Sequence, residues 1–262
     1  MRQVDMTRLD LLKGTVTKVC DYVAEEVPLK IVLNDVYVFV IWCSPAQFKE
    51  LAIGYLFAEE ILTDVDEIES VTSNEAENVC FVQFKSGINL EKRLENRQQR
   101  ARIVPLIKNS ASAYQHDDKI VTVNSDFTVK AQTVFDAICQ IDKQAEGFKK
   151  TGGLHSSGLF KADGYMVAFS EDVGRHNTVD KVIGKGLLSK IDFAQCFLII
   201  TGRVPGDMIY KAAKAGLPIV ASVTAVLNSG ISSAQKAKIT LAGFVREKHL
   251  NIYTYPERIE LL

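Results

Sequence analysis

No two of the five cysteines, Cys20, Cys43, Cys80, Cys139 and Cys196, are close enough to form a C-x-x-C. An odd number at wide spacing excludes a disulfide framework and a zinc ribbon. Their neighbours are mostly apolar, so they read as reduced core residues. Long hydrophobic runs are also missing. The longest, Val36 to Cys43, is far below the roughly 20 residues that span a bilayer, so no membrane association is expected. The first ten residues contain acids and lack an apolar signal core, which makes the cytoplasm the expected location. Charge of one sign is not in excess: 31 Lys and Arg stand against 32 Asp and Glu, with a net charge of -1. Nothing global therefore points to a nucleic-acid partner. P-loop, G-x-G-x-x-G and G-x-S-x-G sequences are absent, against nucleotide hydrolases, dinucleotide dehydrogenases and serine hydrolases. A zinc deaminase would need H-x-E with P-C-x-x-C. His155 is instead followed by Ser156 and Ser157, so no zinc and no other metal site is expected.

What remains is an ordinary globular composition, 47% hydrophobic and 24% charged over 262 residues. That length supports a substantial core. Two lobes are expected, an N-terminal β-containing one over 1–130 and an α/β one over 131–262. Alternating and continuous apolar stretches from Gly14 to Pro45 read as a hairpin or small meander, with Asn34 and Asp35 as the last turn. Ser44, Pro45 and Gln47 resemble a helix cap, first helical position and capping box. Phe48, Leu51, Ala52, Tyr55 and Leu56 then form one apolar face for covering the sheet. Residues 63 to 78 read as a connection with some extended structure, and CFVQF at 80–84 as a strand. EKRLENRQQRAR at 91–102 has a solvated helix face as its simple explanation and an anion-binding patch as its rival. Lys108 to Asp118, polar and rich in small residues, reads as an exposed mobile loop.

The chain is densest in unusual residues between Phe148 and Gly186. Val134, Ala137, Ile138 and Ile141 give a helical stripe before it. Within it, Met166 to Phe169 reads as a buried strand, and Val179, Val182, Ile183 and Leu187 as an amphipathic helix that Asn177 can cap with Asp180. Beyond it, strands at Cys196 to Ile200, Ile219 to Val223, Ile239 to Val245 and Asn251 to Thr254 alternate with helices. Gly216 closes one of those helices and Pro218 stops it. This pattern predicts a mostly parallel sheet covered on both faces.

In such a sheet the carboxyl ends of parallel strands lie side by side. Asp172, Gly174, Arg175 and His176 follow the first strand; Thr201, Gly202 and Arg203 the second; Thr224 the third; Arg246, Lys248 and His249 the fourth. Guanidiniums, glycines and helix starts together suit a phosphate or pyrophosphate. Plainer readings remain open: Asp172 pairing with Arg175, and Arg203 with Asp207.

TGGLH at 151–155, EDVGRHNTVDKVIGKG at 171–186, TGR with DMIYKAAKAGLPIVASV at 201–223 and GFVREKHLNIY at 243–253 resemble the FdhD/NarQ family of formate dehydrogenase accessory sulfurtransferases. PLKIVLNDVYV and SPAQFKELAIGYLFAEEIL resemble its opening hairpin and helix. The resemblance implies a cytidine-deaminase-like α/β core without zinc, preceded by the smaller lobe, and a homodimer. It implies sulfur taken as a persulfide from a cysteine desulfurase and passed to the molybdenum or tungsten bis(molybdopterin guanine dinucleotide) cofactor of formate dehydrogenase. It adds Thr151, Gly152, Gly153, His155, Asn177, Phe244, Val245 and Glu247 to the expected cofactor-binding residues. Two departures follow. The family's persulfide C-x-x-C falls near Lys108 to Tyr114, where this chain reads KNSASAY, with Ser110 and Ser112 the nearest replacements. In the family's F-x-R-x-G-R segment, Phe244 and Arg246 remain, but Lys248 and His249 replace glycine and arginine. The rival functions are therefore a sulfurtransferase using another cysteine, with Cys139 and Cys196 as candidates in apolar segments, a cofactor-binding protein without sulfur chemistry, and a nucleotide-binding regulator.

Overall fold

The computed structural model describes residues 1–102, 120–246 and 248–261, the first stretch without the side chains of 98–102. The expected loop at 108–118, with Ser110 and Ser112, lies outside these residues, as does Glu247.

The chain opens with a hairpin of β1 (Arg2–Asp10) and β2 (Thr15–Val23). Its first strand escaped the sequence reading because Val4 and Met6 alternate with too few other apolar residues. Strands β3 (Val27–Leu33) and β4 (Tyr37–Cys43) form the expected second hairpin. Asn34 and Asp35 both have positive φ, 45° and 58°, as the central residues of a type I′ turn do, and the Val36 amide closes the turn on the Leu33 carbonyl at 3.0 Å. With β5 (Ile68–Asn74) and β6 (Val79–Phe84) these strands make a four-stranded sheet in the order β4-β3-β6-β5.

Helix α1 (Phe48–Ala58) packs on that sheet, but Ser44 does not cap it. Gln47 occupies the cap in a left-handed conformation with no side-chain bond to the helix, and its Nε2 donates to the Phe169 carbonyl at 3.0 Å. The helix is also buried beyond the one face expected, with Ile53, Gly54 and Phe57 covered as well. The cause is α5 (Arg175–Leu188), which crosses it. A Cβ on Gly54 would lie 1.8 Å from the Asp180 carbonyl oxygen, and one on Gly184 1.9 Å from that of Glu50. Only glycine permits this backbone approach. Helix α2 (Leu90–Arg102) follows β6. Its basic face is not simply solvated: Arg93 grips Glu67 with two bonds of 2.7 and 2.8 Å, and Arg97 bonds Glu59 at 2.7 Å. The Arg93 bond holds the Glu67 carboxyl down at about 2.

A short β7 (Val129–Lys130) leads into α3 (Ala131–Gln144) and α4 (Glu146–Thr151). Then come β8 (His155–Lys161), β9 (Met166–Asp172), α5, β10 (Cys196–Ile200), α6 (Gly206–Ala215), β11 (Ile219–Ser222), α7 (Asn228–Ala237), β12 (Thr240–Arg246) and β13 (His249–Thr254). Strand β14 (Ile259–Glu260) pairs with β7. As expected, Gly216 ends α6 in a left-handed conformation, φ 83°.

The second large sheet has the order β13-β12-β11-β10-β8-β9. Strands β10, β11 and β12 are parallel neighbours. Strand β8 is antiparallel to both β10 and β9, so β9 runs the same way as those three. Four carboxyl ends therefore share one edge with the start of β8. Alternate residues of β10 serve two cores: Leu198 and Ile200 join Val179, Ile183, Ile209 and Ala234, whereas Phe197 and Ile199 join Val134, Ala137 and Ile141 of α3. A strand buried on both faces reads as the continuous run CFLII. The first of these cores also holds Leu29, Ile31, Leu51 and Leu56, and so continues into the four-stranded sheet. Each such side chain contributes roughly 1.5–3 kcal/mol on burial.

Candidate functional site

Hydrogen bonds lace the strand ends together. The Ser156 amide donates to Thr201 Oγ1 at 2.9 Å, and the Thr201 amide to the Ser156 carbonyl at 3.0 Å. Ser222 Oγ donates to the Gly202 carbonyl at 2.9 Å and accepts the Thr224 amide at 3.0 Å. The Phe244 amide donates to the Thr224 carbonyl at 3.1 Å. Between Gly243 and Arg246 the register slips, and Phe244 has φ 52°. A bulge of this kind re-aims side chains at a sheet end; here the Arg246 guanidinium lies 5.5 Å from the centre of the Phe244 ring.

Above this edge is a cavity of about 650 Å³. Phe135, Ile138, Cys139 and Asp142 of α3 and Phe148 of α4 form one side; Gly152 to Ser156, Ile199, Thr201, Val223, Thr224, Val245 and Arg246 form the other. This is the size of a small-molecule site, apolar with a few convergent polar groups. His155 sits at its rim. Burial, and then the charges of Arg175 and Arg203, push its pKa down, so at neutral pH the imidazole is uncharged. Those two arginines thus make the positive field at this edge. Arg203 is exposed. The stem of Arg175 lies across Gly202, where a Cβ would meet its Cβ at 3.0 Å, and its buried Nε has no acceptor.

Behind the rim, Asp172 is completely buried. It accepts from the Ser44 amide (3.0 Å), the Gly174 amide (2.8 Å), Asn177 Nδ2 (2.8 Å) and Lys181 Nζ (2.6 Å). Asp172 is therefore paired with Lys181, not with Arg175. Asn177 lies inside α5 rather than capping it; Gly174 is the cap residue, and Asn177 also donates to the Trp42 carbonyl at 2.8 Å. Ser44, read as a helix cap, instead accepts the Val173 amide at 3.1 Å. This hub joins the end of β4 to the turn that carries Arg175.

A second, smaller cavity of about 50 Å³ lies between α1, α5 and α6. Asp180 faces it and is gripped by Lys211 Nζ at 2.6 and 2.7 Å rather than completing a capping box. Burial outweighs that bond and raises its pKa to about 6. His176 also faces this cavity. Burial, then Lys211 and Arg175, push its pKa to about 3. Its 3.7 Å approach to Asp207 is therefore a contact between a neutral ring and a carboxyl whose own pKa burial raises, not an ion pair.

The family model described as FdhD/NarQ matches residues 24–260. This chain belongs to the FdhD/NarQ family. Relatives named sulfur carrier protein FdhD include that of Methanothermobacter thermautotrophicus, 34% identical over 98% of both chains. That of Saccharolobus solfataricus is also 34% identical, over 98% of this chain and 99% of its own. That of Bacillus subtilis is 29% identical over 94% of both. The crystal structure of a candidate formate dehydrogenase accessory protein from Desulfotalea psychrophila shares the fold, with a TM-score of 0.79 and 24% identity over 99% of both chains.

Of the residues expected at the site of this FdhD/NarQ protein, Gly152, Gly153, His155, Thr201, Val245 and Arg246 line the larger cavity. Arg175, Gly202 and Arg203 are not among its lining residues; Gly202 follows the lining Thr201 and has the Arg175 side chain against it, and Phe244 backs Arg246. Thr151 Oγ1 donates to the Gly147 carbonyl and accepts the Gly153 amide, shaping the glycine turn. Asp172, Gly174 and Asn177 form the buried hub, and His176 serves the second cavity. Lys248 and His249 are exposed at the β12–β13 turn and do not line the cavity. Sequence reasoning missed the α3 wall. Its signal was present, because Phe135, Ile138, Cys139 and Asp142 recur at i, i+3, i+4 and i+7 beside the core stripe. The cysteines also need correction. Cys43, Cys80 and Cys196 are buried, but Cys20 and Cys139 are exposed, and Cys139 opens into the cavity rather than packing in the core.

Proposed function

We propose that this chain serves formate dehydrogenase maturation by holding a guanine dinucleotide end of the molybdenum or tungsten bis(molybdopterin guanine dinucleotide) cofactor in the larger cavity. The observation that carries the reading is Arg175 Nε, a buried donor without an acceptor at an edge that also carries Arg203 and Arg246. An unmet buried donor costs about 1–3 kcal/mol, and a diphosphate oxygen supplies the missing acceptor. The rest of the site fits such a ligand. Phe135 and Phe148 offer faces for a planar base, and nothing lies within 4 Å of a Cβ placed on Gly152, which leaves its backbone open to close approach. When bound, the cofactor brings the metal that accepts sulfur; this chain's residues bind and orient its nucleotide arm. Titration calorimetry with GDP tests the reading. Arg175→Ala and Arg246→Ala should each weaken binding by roughly 10- to 150-fold, the equivalent of 1.5–3 kcal/mol for a charge-assisted bond. Unchanged affinity in these variants and in Arg203→Ala would sink it.

Cys139 favours a second reading, in which sulfur transfer is retained. Burial raises Cys43 and Cys80 to about 12 and Cys196 to about 11, leaving little thiolate for exchange. Cys139 alone of the five lines the cavity. Its thiolate would attack the outer sulfur of a persulfide on a cysteine desulfurase, gaining that sulfur while the donor cysteine leaves as thiolate. Mass spectrometry after incubation with a desulfurase and cysteine decides. A persulfide on Cys139, absent in Cys139→Ala, supports transfer; none anywhere leaves the cofactor-binding reading alone.

A further inference from the structure

Among the described residues that line the larger cavity, Asp142 near the end of α3 is the sole acid. A carboxylate repels phosphate, so its place in a cavity read as a nucleotide site needs its own account. The fold keeps it apart from the guanidiniums. Helix α3 packs with Phe197 and Ile199 on one face of the sheet, whereas α5, which starts at Arg175, packs with Leu198 and Ile200 on the other. Ile141, the residue before Asp142, reaches β8, where a Cβ on Gly158 would lie 3.2 Å from its Cδ1. Arg246 ends β12, and the sheet order β12-β11-β10-β8 puts three strand spacings, roughly 14 Å, between the two strands. The carboxylate is also weakly engaged within the chain. Its side chain is 74% exposed and approaches Lys149 Nζ at 3.7 Å, a partner 46% exposed itself. A pair of that kind is loose and yields to a ligand. Phe135 stands on the same side of α3, and the half-exposed Phe148 of α4 completes that wall.

We propose that Asp142 is the residue that selects the base: its two carboxylate oxygens accept the N1–H and the 2-amino group of guanine side by side, and so favour guanine nucleotides over adenine ones. A carboxylate is acceptor-only when ionised and takes two parallel donors well. Guanine presents that pair on one edge. Adenine presents an amino group beside a ring nitrogen that carries a lone pair, which a carboxylate repels. Hypoxanthine keeps N1–H but lacks the second donor, and xanthine has a carbonyl in its place. The aromatic wall holds any purine by its faces; the carboxylate beside it distinguishes their edges. This inference rests on the cofactor reading for the class of ligand, but it concerns the base, whereas that reading was carried by groups that meet phosphate.

Titration calorimetry of the full chain with GDP, IDP, ADP and XDP tests the assignment. The wild type should bind GDP about tenfold more tightly than IDP, and ADP and XDP more weakly than IDP. Asp142→Asn exchanges one acceptor for a donor. Its amide oxygen can take N1–H while its amino group meets the 2-carbonyl of xanthine, so this variant should bind XDP more tightly than GDP. A variant that merely disturbed the cavity would weaken every nucleotide and gain affinity for none. Asp136→Asn, at an exposed position of the same helix outside the cavity, should leave all the ratios as they are in the wild type. Equal affinity of the wild type for GDP and ADP overturns the inference, and so does an Asp142→Asn chain that keeps the wild-type order of GDP and XDP. In either event, GDP binding that still weakens in Arg246→Ala leaves the cofactor reading standing. A chain whose GDP affinity is indifferent to both the Arg246 and the Asp142 variants, or that binds no GDP, ends both.

Discussion

Replacing Lys181 by methionine tests the hub that holds the site together. The Lys181 ammonium and the Asp172 carboxylate are both completely buried and 2.6 Å apart. Methionine keeps most of the volume but leaves the carboxylate with only three neutral donors, from Ser44, Gly174 and Asn177. Removing one partner of a buried pair typically costs 3–5 kcal/mol, because the remaining charge is neither hydrated nor neutralised. For a chain of this size each kcal/mol moves the melting temperature by roughly 2–4 °C, so calorimetry should show a fall of about 6–20 °C. The double variant Asp172→Asn with Lys181→Met removes both charges and should recover much of the loss. It should not recover GDP binding fully, because the carboxylate also fixes the Gly174 amide and thereby the turn that carries Arg175. A Lys181→Met variant within about 1 kcal/mol of wild type, or a double variant no better than the single, would refute this account of the hub.

Gly184→Ala should destabilise by about 3 kcal/mol or more in urea melts, since the new Cβ would lie 1.9 Å from the Glu50 carbonyl oxygen and only separation of α1 from α5 relieves it. His176 titrates at about 3 in the fold against an ordinary 6.5. Between those values the unfolded chain binds the extra proton, so the stability due to this ring is complete above pH 6.5 and is lost as pH falls towards 3. The loss is at most about 1.4 kcal/mol per pH unit. Asp180, raised from 3.8 to about 6, acts the other way between those values. The difference between wild type and His176→Asn isolates the histidine, and that difference should grow as the medium is acidified from pH 6.5 to 5.

The strand ends were legible in the sequence because each follows a continuous apolar run, and parallel neighbours must bring their carboxyl ends together. The glycine turn and Arg246 were reached in the same way. Less visible was anything set by contact between remote segments. Ser44, Asn177 and Asp180 all have the composition of caps, and local pattern could not show that β4 would arrive beside β9 and draw two of them into one buried network. Lys181 gave no signal, since a lysine among Val179, Val182 and Ile183 normally lies on the solvated face of its helix. Cys139 was assigned to packing by its apolar neighbours, although its own position on the helix faces outward.

The central claim, that a guanine nucleotide occupies the cavity between α3 and the strand ends, is tested most directly by the alkylation of Cys139. That thiol lines the cavity, whereas Cys20 is exposed on β2 and serves as an internal reference in the same sample. With iodoacetamide and peptide-resolved mass spectrometry, saturating GDP should slow modification of Cys139 several-fold and leave Cys20 unchanged. An equal rate at Cys139 with and without GDP, under conditions where calorimetry shows the nucleotide bound, would place the ligand elsewhere and contradict the account.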